Sequence, residues 1–79
     1  MDAQLSFESD RDADILYINQ RPPDAEQESE ELGDDVIARI NTETGEVENL
    51  EILFFSTRLL RGDTFAVPVH AELRLATTV

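Results

Sequence analysis

No cysteine occurs among the 79 residues, so disulfides and thiolate-held metals are excluded. The single histidine, His70, cannot make a poly-histidine metal site. All six basic residues are arginine, and they face 18 acidic residues for a net charge of −12. A phosphate backbone would be repelled, so nucleic-acid binding is disfavoured and the acidic excess reads as a solubilising surface. The longest apolar runs, residues 15–18 and 52–55, are far short of the roughly 20 residues a membrane span needs. Residues 1–4 also lack the basic and apolar regions of a signal peptide, so a soluble, cytoplasmic chain without membrane contact is expected. A domain of this length buries only about 60–65% of the surface its unfolded chain exposes, and usually needs a staple or a partner. With disulfides excluded, a second subunit is the staple left, and a homodimer is expected.

What is present is mostly strand-like. Leu5 and Phe7 alternate with polar neighbours in residues 4–8, as on a half-buried strand. Residues 9–13 form a polar turn rich in Asp and Ser, whose side chains hydrogen-bond their own backbone. Residues 14–19 carry apolar side chains on both faces and read as a central strand, closing a first hairpin. Pro22 and Pro23 force a loop. Residues 25–32 are ambiguous: propensity favours a helix, but its like charges would repel at i,i+4 spacing. An extended acidic edge strand, or poor order, is the preferred reading.

Residues 36–40 alternate with Val36, Ala38 and Ile40 inward, and Gly45 supplies the left-handed residue of a second hairpin. On the returning strand, residues 46–54, Val47 is out of parity with Leu50, Ile52 and Phe54. One extra residue at Glu48-Asn49 restores a common face, with Asn49 the preferred bulge position because Asn tolerates positive φ. Ser56 reads as the N-cap of a short helix over residues 56–61, ended by Gly62. Residues 65–75 then alternate apolar and polar without interruption, which predicts a C-terminal strand placed at an edge or broken at Pro68.

The pattern predicts a single domain over residues 1–79. Its fold class is mainly β, a small antiparallel sheet of two hairpins plus a C-terminal strand, with one short helix near residues 56–61; the alternative is α+β. Asp10, Asp12 and Asp14 have the opening spacing of a calcium loop, but Ile15 stands where glycine is needed and Arg21 where a bidentate glutamate belongs. They read as turn chemistry. His70 could act as a general base, yet it falls on the polar face of the last strand with no nucleophile beside it. Tyr17, inside an apolar strand, reads as core. No catalytic, metal or cofactor site is expected, and the chain reads as non-enzymatic. Phe54, Phe55, Phe65, Val67 and Val69 either complete the monomer core or form an interface between copies.

Two blocks stand together: Phe7-Glu8-Ser9-Asp10-Arg11-Asp12-Ala13-Asp14-Ile15-Leu16-Tyr17-Ile18, and residues 35–53 around the Gly45 hairpin. In order and spacing, over about residues 5–56, they resemble the small prokaryotic family known as domain of unknown function 2283. Asn49 stands where such proteins usually carry glycine, and the extension over residues 62–79 is longer than in many members. The resemblance implies a small antiparallel β fold with no established activity. Some members look like partners of small toxin-like proteins, which implies an interaction role, antitoxin-like, with a small basic protein as partner. The alternative is a small ligand- or metal-binding protein or enzyme with a site at a dimer cleft.

Overall fold

The first hairpin forms as β1 (Ser6–Asp10) and β2 (Ile15–Asn19), paired antiparallel from Ser6 opposite Asn19 to Asp10 opposite Ile15. In the computed structural model, which describes residues 4–62, 64 and 66–75, the connecting turn is held by one side chain. The Asp10 carboxylate accepts the backbone N–H of Asp12 at 3.0 Å and of Ala13 at 3.1 Å. Asp14 closes the turn at φ 58°. The acidic residues therefore build a turn, in the manner expected of Asp side chains there.

Four of the sheet's five strands were anticipated from residue pattern, and the remaining one settles the ambiguous acidic stretch. Residues Glu28–Gly33 form β3, an edge strand paired with β4 (Val36–Ile40). The two are joined by Asp34-Asp35, both at positive φ (53° and 62°), the requirement of a two-residue type I′ hairpin. Three exposed glutamates on an open edge discourage pairing with another chain. β5 (Val47–Leu53) returns along β4 and also pairs with β2, giving the antiparallel order β1-β2-β5-β4-β3. β2 is thus internal, as its two apolar faces required.

The register sorts the side chains. Leu16 and Ile18 lie opposite Ile52 and Leu50, which lie opposite Val36 and Ala38, so all six share one face. Phe7, opposite Ile18, joins them from β1. The other face carries the row Glu8, Tyr17, Glu51 and Ile37, and below it Asn19, Asn49 and Arg39. Tyr17, read as core, is half-buried on this second face, away from the most buried residues. Only Val36, Ala38 and Ile52 are fully buried apolar residues among those described.

Three expectations are corrected. The bulge exists and does bring Val47 onto the face of Leu50 and Ile52, but the extra residue is Glu48: Asn49 pairs with Arg39 and Val47 with Ile40. Asn49 is not among the positive-φ residues, so its amide, not its backbone freedom, decided the position. The helix α1 (Phe55–Arg61) begins at Phe54, not Ser56, with Phe54 in the left-handed region at φ 55°. Phe54 offers no side-chain cap; Asp14 supplies it from across the chain, accepting Ser56 N–H at 3.0 Å and the Ser56 hydroxyl at 2.7 Å. Gly62 ends the helix at φ 70°, as anticipated. Finally, the C-terminal strand does not form: described residues 66–75 join no ladder, and a tight turn at Pro68 links Val69 N–H to Val67 C=O at 2.7 Å. Pro68 removes a ladder donor, and no strand of the same chain lies in register with the segment.

Candidate functional site

The bulge carries a polar cluster that ties the loop of residues 20–27 to the second face of the sheet. Asn49, 2% exposed, is its centre. Its amide donates to the Asn19 side-chain oxygen at 2.8 Å and to the Arg21 carbonyl at 2.6 Å, and its own oxygen accepts from Gln27 at 2.8 Å. Gln27 also donates to Glu48 Oε1 at 2.7 Å and accepts from Arg39 Nε at 3.2 Å. Arg39 reaches Glu51 at 3.4 Å, an ion pair that is partly solvated and worth little by itself. Asn41 caps its own hairpin by accepting Glu43 and Thr44 N–H, and donates to Glu48 Oε2 at 3.1 Å. Every polar atom named here has a partner within the chain. A site for a ligand needs unspent donors or acceptors, so the cluster is read as a latch that fixes the loop.

Glu48, at the bulge, has a shifted titration. The hydrogen bond from Gln27, then that from Asn41, hold its carboxyl below the ordinary 4.5; desolvation opposes them and the Arg21 guanidinium, 3.5 Å away, assists. A carboxylate with a lowered folded pKa contributes stability that is present above 4.5 and lost as pH falls through the folded value. We therefore expect Glu48→Gln to be less stable than the parent at neutral pH. The gap should close below pH 4.5 in thermal melts collected across an acid series. A gap that stays constant with pH would mean another group controls the acid limb.

The apolar face has a different character. A cleft of about 980 Å³ runs over it, bounded by Leu5, Phe7, Ile18 and Leu50 on the sheet side and by residues 68–74 on the other. The segment that borders it does not close it: Leu73 and Leu75 are 79% and 88% exposed, and Phe7 is 61% exposed. Glu28 and Glu30 stand on the same face at the β3 end, so its apolar part runs over β1, β2, β5 and β4 and stops at β3.

The sequence-derived interface residues fall in two places. Phe54 is exposed at the strained start of α1, and Phe55 beside it is half-buried. Val67 and Val69 are half-buried on either side of Pro68. Phe65 lies outside the described residues. The structure thus does not gather the four described residues into one patch; it puts Val67 and Val69 at the approach to the cleft and Phe54 and Phe55 at the far end of the sheet, where Phe55 N–H donates to the Asp14 carbonyl. His70 is exposed at the cleft margin. Among the described residues no group of three or more His, Asp or Glu is arranged to hold a metal ion, and no helix is long and apolar enough to cross a membrane.

A family model described as a protein of unknown function, DUF2283, matches residues 8–56. The chain belongs to this family. The DUF2283 match spans β1 to the start of α1, so the sheet and the polar latch are family territory and the segment bordering the cleft lies outside it. Curated proteins and solved structures gave no match.

Asn19, Gln27, Arg39 and Glu48 were not singled out from the sequence. Their signal was present only in part: Asn19 ends an apolar strand and Asn49 interrupts another, and two amides at such positions on paired strands can meet. Gln27, in an acidic run, carried no signal.

Proposed function

We propose that this DUF2283 chain is a non-enzymatic interaction module that works as a homodimer through its apolar face. The observation that carries this reading is the mismatch between the face and what covers it. A cleft with Leu5, Phe7, Ile18 and Leu50 on its sheet side stands open, while among the described residues only three apolar ones are buried. The accessible surface is 6452 Å², against about 4,800 Å² for a folded monomer of this mass. Bringing two chains to the ordinary value would bury about 3,300 Å² in total, inside the range of obligate homodimers. The polar latch supports the non-enzymatic part of the reading, since its central groups, Asn49, Gln27 and Glu48, spend their bonds on one another and on the loop.

Sedimentation equilibrium at high micromolar concentration should return twice the 8.9 kDa chain mass. A monomer under those conditions sinks the proposal. A second reading, a small basic protein as partner, draws support from the open β3 edge with Glu28, Glu30 and Glu31 exposed. Native mass spectrometry separates the two: a heteromer of this chain with a smaller basic polypeptide, in place of a homodimer, favours the second.

A further inference from the structure

Residues 66–75 combine three properties that their place in one chain leaves unused. Their odd-numbered positions, Val67, Val69, Ala71, Leu73 and Leu75, are all apolar, whereas Ala66, Pro68, His70, Glu72 and Arg74 fill the even ones. That period makes a ribbon with one apolar side, yet the segment joins no ladder and leaves Ala71, Leu73 and Leu75 exposed. A strong local pattern that the surrounding structure does not satisfy is a conflict natural sequences avoid, which points to a missing partner surface. The second property is charge. Residues 1–54 hold 16 of the acidic side chains and 3 arginines, a net of −13, and residues 55–79 hold the other 2 acids and 3 arginines, a net of +1. Within that part, residues 66–75 set Arg74 against Glu72 and carry no net charge, so they meet the acidic sheet body without like-charge repulsion. The third is the cleft itself, which presents Leu5, Phe7, Ile18 and Leu50 on its sheet side and leaves Phe7 exposed.

Resting on the homodimer reading, we propose that residues 66–75 are an exchanged arm. The arm of each copy lies across the apolar face of the other, with Val67, Val69, Ala71, Leu73 and Leu75 against Leu5, Phe7, Ile18 and Leu50. Its even-numbered side faces water, so the missing N–H of Pro68 costs no sheet hydrogen bond. Exchange of an identical element places the same contacts in both copies and closes with two-fold symmetry. The sheet body's large negative charge, which opposes association of two bare sheets, is offset at the contact by an arm that carries none of it.

Because the chain has no cysteine, engineered thiols report this arrangement without background. Phe7→Cys and Leu73→Cys are both at exposed cleft positions and leave the three-residue core untouched. The two single variants, one isotopically heavy, are refolded together and oxidised gently, and the linked peptides are read by mass spectrometry. The double variant is oxidised alone at low micromolar concentration. The expected results are a light–heavy disulfide joining positions 7 and 73 and covalent dimers of the double variant, in at least half of the oxidised protein. Leu5→Cys in place of Phe7→Cys repeats the measurement if circular dichroism shows that the first variant is misfolded. Only intramolecular 7–73 bonds, or no 7–73 bond at all, would overturn the exchange. Sedimentation of the unmodified chain distinguishes the two failures: a dimer with intramolecular bonds retains the homodimer without the arm, and a monomer removes both.

Discussion

Replacing Asn49 with alanine is expected to remove about 2–5 kcal/mol of stability, read as a lower midpoint in urea at unchanged slope. The size follows from what is left behind. The Asn19 side-chain oxygen is left a buried orphan, at about 1–3 kcal/mol, and the part-buried Arg21 carbonyl loses its donor as well. Gln27 loses one acceptor but keeps Glu48. A chain of this length has only about 4–12 kcal/mol in total, so the loss is a large fraction of its stability. Asn49→Asp should be worse, since an oxygen replaces the donor facing two acceptors and a charge is added beside Glu48. In a double-mutant cycle with Asn19→Ala the losses should fall short of additive by about 0.5–3 kcal/mol, because both variants remove the same bond. A loss below about 1 kcal/mol for Asn49→Ala would mean water replaces the amide, and the latch would not be the element that fixes the loop.

Ala38→Asp is expected to abolish cooperative folding at neutral pH. Ala38 is 0% exposed, with Leu50 on one side and Glu30 on the other in the register of the apolar face. A carboxylate there would be desolvated without a cation, and like charges opposite one another across a ladder add to the cost. The combined loss exceeds about 4 kcal/mol, comparable with the whole stability of so small a domain. Ala38→Ser, which keeps the volume nearly constant, should cost about 1–3 kcal/mol and retain a sigmoidal melt. A native-like melt for the aspartate variant would show that the face is wetter than its geometry indicates.

Much of the sheet was legible because its signals are local. Ile15 to Ile18 are apolar on both faces, and β2 is an internal strand. Gly45 sits at φ 76° where the hairpin needs a left-handed residue. What was not legible depended on distant partners. β3 is a strand because β4 offers it a ladder, although its own composition of Glu and Ser would not choose one. The one-residue bulge could be placed from parity alone, but Glu48 and Asn49 satisfy parity equally. The choice falls to Asn49 side-chain bonds that reach residues 28 and 30 positions away. Ser56 has the chemistry of an N-cap and gives it up because Asp14, 42 residues earlier, caps the helix instead. The C-terminal alternation was the cleanest period-two pattern in the chain, and it forms no strand. Periodicity reports which side of a segment is apolar, and says nothing about whether a surface exists within the chain to receive it.

The strand order β1-β2-β5-β4-β3 also bears on how the chain reaches its native state. Three of the four ladders join strands adjacent in sequence, and only the β2–β5 seam joins strands far apart. The β1–β2 hairpin and the β3–β4–β5 meander can each zip locally, on the microsecond scale of hairpins. Joining them closes a loop of about 30 residues, an entropic cost on the order of 3 kcal/mol that must be met before the seam returns anything. The Asn19–Asn49 bond lies at the end of that seam nearest the loop, so the latch is also the clasp of the slowest step. Folding speed in this sheet is governed by the one ladder whose strands are not neighbours in the chain.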